Sequence, residues 1–200
     1  VDLVELAASA LASSVAASRP IRELAQQETG GSSQQNARLK LDGTVVTDAD
    51  YAAQHIIVGA LRGVSTEIRI VGEESRGDME KSPSRENDSG PQFVEGNQAE
   101  NAEIFQMARE EIAKRYLYYC SIQGGAPISG SGADPDPSCH VEASRVSVFV
   151  DPLDGTSAYA KGDHDAVTIL VAIIVDNVPT FGVICKPFGQ TGAPSILDSG

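Results

Sequence analysis

The stretch VSVFVDPLDGTSAYAKG, residues 146–162, decides how the whole chain is read. An apolar run, RVSVFVD, reads as a strand that delivers two carboxylates, Asp151 and Asp154, separated only by Pro152 and Leu153. Proline fixes φ, so the turn is stiff and both acids can address one point. Hard cations take ligands of this kind, carboxylates together with backbone carbonyls, and Leu153 can offer a carbonyl between the two acids. Gly155 permits close backbone approach. Thr156 and Ser157 can open a helix whose first N–H groups would suit an anion such as phosphate. The same six residues are also ordinary turn chemistry, with Asp, Pro and Gly in favoured places. Taken alone, they do not separate a turn from a site.

A second segment tips the balance. STEIRIVGEE, residues 65–74, alternates Ile68 and Ile70 as a strand would and ends in Glu73 and Glu74. A surface Glu pair at a strand end is by itself unremarkable. Two strand ends that both terminate in acids point to a shared divalent-cation site. A third cluster, Asp42 with Thr47, Asp48 and Asp50, precedes a helix-like run. Thr47 or Asp48 serves as its N-cap. Capping does not require all three acids, so the others are candidates for a general base or a further metal ligand.

Working outward, residues 2–28 read as a helix with Leu3, Ala7, Leu11 and Val15 on one face, ended or kinked at Pro20. Residues 29–39 read as a polar loop, followed by a short extended piece. YAAQHIIVGALRG reads as a second helix with Ala53, Ile56, Ile57 and Leu61 on one face and Gly63 as its C-cap. Residues 75–99 are acidic, rich in Pro, Ser and Gly, and aperiodic, as a mobile loop or insertion would be. A third helix follows, with Ile104, Met107, Ala108, Ile112 and Tyr116 as its apolar stripe. After the acid-bearing strand, AVTILVAIIV and TFGVICKP read as two strands joined by a turn at Asp176-Asn177. Helices come first and strands after them, which suits α+β layering better than alternating βαβ units.

The 200 residues carry a net charge of −13, which disfavours nucleic acid and anionic membrane as partners. No apolar run approaches the roughly 20 residues that span a bilayer. Three cysteines, Cys120, Cys139 and Cys185, form no CxxC pair and suggest a reducing compartment. A cytoplasmic location is the expectation. An acidic protein that handles an anionic phosphate needs bridging cations, which agrees with the acid clusters.

Together VGEES, DPLDGTS and KLDGTVVTDADYAAQHII resemble the lithium-sensitive, magnesium-dependent phosphatase superfamily that includes inositol monophosphatase. Within it, the segments 40–57 and 154–162 look like the 3′(2′),5′-bisphosphate nucleotidase branch. The resemblance implies a layered α/β/α/β sandwich and a small phosphorylated substrate, 3′-phosphoadenosine 5′-phosphate. It also implies two or three Mg²⁺ ions, with Li⁺ inhibitory. By position it makes Glu73, Asp151, Asp154 and the Leu153 carbonyl metal ligands, and turns Asp50 toward an additional metal. Asp42 and Thr156 would activate the attacking water, and Gly155, Thr156 and Ser157 would hold the phosphate. The expected domains are an N-terminal α+β unit over residues 1–160, with an insertion near 75–100, and the start of a C-terminal α/β unit over 161–200. The superfamily takes a further Asp ligand from a Trp-Asp motif in its C-terminal half, and this sequence contains no Trp. The chain therefore reads as truncated there. The alternatives are an inositol phosphate phosphatase and a noncatalytic module that binds metal or phosphate.

Overall fold

The structure is a computed structural model that describes residues 1–28, 38–39, 45–74, 98–122 and 140–189. It is an α+β arrangement of helices layered on a mixed sheet. Helix α1 spans Leu3–Glu28, and a short antiparallel pair, β1 (Arg38–Leu39) and β2 (Val45–Val46), leads to helix α2 (Asp48–Val64). Strand β3 (Arg69–Gly72) and helix α3 (Gln98–Ile122) follow. Strand β4 (Val146–Asp154) runs into the one-turn helix α4 (Thr156–Tyr159), and β5 (Thr168–Val175) and β6 (Val178–Cys185) complete the chain described. Among the described residues the main sheet has four strands in the order β3-β4-β5-β6. β3 lies parallel to β4, and the other pairs are antiparallel. β4 and β5 are sheet neighbours although residue 160 falls between them.

Helix α1 is buried on nearly every side because it packs against α2, α3 and the sheet. That position explains its composition of Ala and Ser. Small side chains allow close approach, and the buried hydroxyls of Ser13, Ser14 and Ser18 are satisfied by carbonyls one turn back at 2.7–3.1 Å. Asp2 caps its start, accepting from the amides of Val4 and Glu5. Pro20 does not end the helix, which continues to Glu28. The packing around Ile21 and Ala25, both buried, outweighs the roughly 3 kcal/mol that an interior proline costs. Beneath α1 and α2 lie Val146, Val148 and Val150 of β4 and Ile169, Val171 and Ile173 of β5, the inward-facing alternate residues of the two strands.

Two other expectations change. Gly63 is not the C-cap of α2: the helix runs to Val64 and is capped by Ser65, whose amide donates to the Leu61 carbonyl, while the Arg62 guanidinium donates to the carbonyls of Thr66 and Ile68 beyond it. Met107 is 72% exposed and lies outside the buried stripe of α3, which is Ala108, Ile112 and Ala113. His164 sits in a 3₁₀ turn between α4 and β5, with its ring stacked on Phe188 at 4.1 Å. The Asp176-Asn177 turn is as expected, with both residues at positive φ (51° and 65°), the geometry of a tight two-residue hairpin. Segments 29–37 and 75–97 lie outside the described residues, as do Asp42, the side chains of Tyr116 and Cys120, and Cys139.

Candidate active site

The site forms where β3 and β4 end side by side. Their parallel register pairs Gly72 with Val150, and the Glu73 amide donates to the Val150 carbonyl at 2.9 Å. Glu73 and Asp151 thereby leave the sheet next to each other. A bulge then changes the direction of β4. Against β5, Asp151 pairs with Leu170 and Asp154 with Thr168, so β4 uses one residue more than its partner. In a regular strand, residues three apart face opposite sides. The extra residue cancels that alternation, and Pro152 and Leu153 are buried in succession while both acids stay accessible. Pro152 has no N–H to leave unpaired there.

The charged groups acting on Asp151 are both acidic. Burial pushes its carboxyl up most, the hydrogen-bonding contact with Glu73 and its charge push it further, and Asp154 adds to this, to about 7 in all. One Asp151 oxygen accepts from the Leu153 amide at 3.3 Å, a turn of the side chain onto its own backbone. Asp154 accepts from the Thr168 hydroxyl at 3.2 Å. Among the described residues no three acidic, imidazole or thiol groups already converge as a closed metal cage. The donor chemistry nevertheless fits a hard divalent cation: all the donors are oxygens, and their mutual repulsion is what a cation would relieve.

The Thr156 hydroxyl lies 3.0 Å from an Asp50 oxygen and 2.9 Å from the Leu153 carbonyl. Its single proton therefore has two acceptors within reach. The other Asp50 oxygen accepts from the amide and hydroxyl of Thr47 at 2.8 and 2.6 Å, closing a capping box at the start of α2. Asp50 is buried, and its burial outweighs these bonds and raises its pKa. Both its oxygens are thus committed to hydroxyl and amide groups. Gly155 sits at φ 89°, and a Cβ there would lie 2.8 Å from the Ala166 carbonyl. Glycine is required at that point both for its conformation and for space. Because α4 has only one turn, it brings little helix dipole to an anion. The amides of Ala158 and Tyr159 are already spent on the Gly155 carbonyl.

Residues that the sequence did not single out also enter the site. Gln54 on α2 donates to the Glu74 carbonyl at 2.9 Å and accepts from the Glu74 amide at 3.0 Å. Glu74 is buried rather than a solvated strand end. Thr168 engages Asp154. Gln54 lies within the YAAQHII run of α2, but its distance from Glu74 along the chain gives no sequence signal.

The site is thus an acid-lined junction of two strand ends, backed by a buried carboxylate–hydroxyl pair on an α+β scaffold. The inositol monophosphatase family model matches residues 2–195, and the chain belongs to that family. Its relatives include the rat Golgi-resident adenosine 3′,5′-bisphosphate 3′-phosphatase, 42% identical over 60 residues that cover 30% of this chain and 17% of that protein. Inositol monophosphatase 3 of Xenopus tropicalis is 38% identical over 61 residues, again 30% of this chain and 17% of that protein. A crystal structure of CysQ from Bacteroides thetaiotaomicron, a bacterial member of the inositol monophosphatase family, matches with a TM-score of 0.46 and 19% identity, covering 96% of this chain and 51% of that one. The matched stretches thus span about a sixth of the relatives and about half of the solved chain.

Proposed function

We propose that this site hydrolyses phosphate monoesters with Mg²⁺, and that its substrate is 3′-phosphoadenosine 5′-phosphate, cleaved to AMP and phosphate. The observation that carries the reading is the placement of Asp151 between Glu73 and Asp154, beside the Thr156–Asp50 pair. Glu73, Asp151, Asp154 and the Leu153 carbonyl would hold the metal, whose chemistry is to polarise the phosphoryl group and neutralise developing charge. Thr156 gives its proton to Asp50 as its oxygen accepts the proton of the attacking water. Burial makes Asp50 a stronger proton acceptor than an ordinary carboxylate, which suits that role. Asp42, outside the described residues, is proposed to assist there. The accessible backbone from Gly155 to Ser157 is proposed to hold the phosphate.

A second substrate reading, an inositol phosphate, is favoured by the frog relative, which matches nearly as well as the rat one. The test is release of inorganic phosphate from the adenosine bisphosphate and from inositol phosphates, with and without Mg²⁺. Faster Mg²⁺-dependent turnover of the nucleotide supports the first reading. Faster turnover of an inositol phosphate transfers the site to the second. Turnover of neither by the full natural protein rejects both.

A further inference from the structure

Among the described residues β3 is an edge strand, with β4 as its one strand neighbour. Its regular pairing ends at Gly72, one residue before the acid that the site needs. Beyond that point the backbone is held on its open side by a side chain. The Gln54 carboxamide presents one donor and one acceptor to the carbonyl and amide of the same residue, Glu74, at 2.9 and 3.0 Å. This two-point pairing is the one a neighbouring strand would make, so the amide stands in for a missing strand. Gln54 is buried, and it reaches Glu74 by lying across Gly72. A Cβ on Gly72 would fall 2.3 Å from the Gln54 Oε1 and 2.7 Å from its Cδ. Gly72 is not at positive φ. What glycine supplies there is room for the amide.

We infer that Gln54, with Gly72 as its seat, is a positioning residue that fixes the Glu73–Glu74 backbone and thereby holds Glu73 against Asp151. This rests on the metal-site reading above. Glu73 is exposed, and the backbone bonds that place it are its own amide to Val150 and the Gln54 pairing one residue later. Removing the amide takes away both bonds that Gln54 makes to Glu74, and Glu73 is then less firmly placed against Asp151.

The test is Mg²⁺ titration by calorimetry of the wild type, Gln54→Ala, Gly72→Ala, the double variant and Ile173→Val, each with its thermal midpoint. Ile173→Val is a core control, a buried residue of β5 paired with Val148 and outside the proposed metal ligands. Gln54→Ala and Gly72→Ala should each weaken Mg²⁺ binding about tenfold or more, as loss of the groups that orient metal ligands does. The double variant should be no weaker than Gln54→Ala, because the added methyl then has no amide to displace. Ile173→Val should bind as wild type despite its lower midpoint. Wild-type affinity in a folded Gln54→Ala overturns the inference and leaves the metal site standing. If Gln54→Ala does not fold, Gly72→Ala decides in the same way. A wild type that binds no Mg²⁺ overturns the metal reading itself and the inference with it.

Discussion

The two strand ends that meet at the site are fixed in opposite ways. The end of β4 takes its turn from its own sequence, with Thr168 and Asp50 bonded to Asp154 and Thr156 from outside it. Pro152 stiffens it, the Leu153 amide ties Asp151, Thr156 reaches back to the Leu153 carbonyl, and Gly155 makes the sharp exit. The end of β3 has no such local devices among the described residues. It is held by the Gln54 amide from α2 and by one amide bond to β4. One half of the site is thus a self-contained turn, and the other is borrowed from a neighbouring helix. Chemistry that must tolerate no displacement belongs on the first, and an acid that only completes a set can sit on the second.

The largest expected effect falls on the self-contained half. Asp151→Asn should lower Mg²⁺-dependent phosphate release on the order of a thousandfold, the upper range for removing one preorganised electrostatic group. Phosphate assays with folded protein check this, and near-normal turnover would break the assignment of chemistry to β4. Thr156→Val comes next. It should cost on the order of a hundredfold in kcat, the scale of a lost general base, while Mg²⁺ affinity stays near wild type and Thr156→Ser restores most of the rate. A parallel loss of metal affinity would mean that Thr156 only holds the turn together.

Two smaller effects concern stability. Gly155→Ala should destabilise by about 1–2 kcal/mol from its left-handed backbone alone, with the close Ala166 carbonyl adding to it, measured by urea unfolding. The last joins the two ends through Asp151. Its folded pKa is raised from 3.8 to about 7 by burial, Glu73 and Asp154. Between those values the folded state binds more protons than the unfolded one, so this group's contribution to stability falls as pH rises. Metal-free protein should therefore melt a few degrees higher at pH 5 than at pH 8. The difference should shrink in Asp151→Asn and on adding Mg²⁺ at pH 8. An unchanged difference in Asp151→Asn would place its origin in the overall negative charge instead.

The same contrast explains what could be read from the sequence. Asp151, Asp154, Gly155 and Thr156 were legible because their geometry is set within one short segment by Pro, Gly and local hydrogen bonds. The helices and the β5–β6 hairpin were legible because periodicity and positive-φ turn residues are local signals. The role of Gln54 was not, because it depends on how α2 lies over β3. Nor was the Asp50–Thr156 pair, in which a residue of the α2 cap meets one at the start of α4. The resemblance turns Asp50 toward a metal, and what the structure adds is that its oxygens accept from Thr47 and Thr156. Met107 failed because a helical spacing identifies a stripe but not its edges.

The parallel pairing of β3 with β4 also carries a kinetic consequence. β5 and β6 are joined by a two-residue turn, and β4 reaches β5 through a short connection. β3 meets β4 only after the chain has run from Gly72 to Val146. Each doubling of such a closed segment adds about 0.6 kcal/mol of entropy to its closure, and non-local pairings form late. The antiparallel part of the sheet can assemble first, with β3 docking afterwards. Its docking is also the step that brings Glu73 to Asp151, so the two acids repel each other only once the rest of the sheet is in place to hold them.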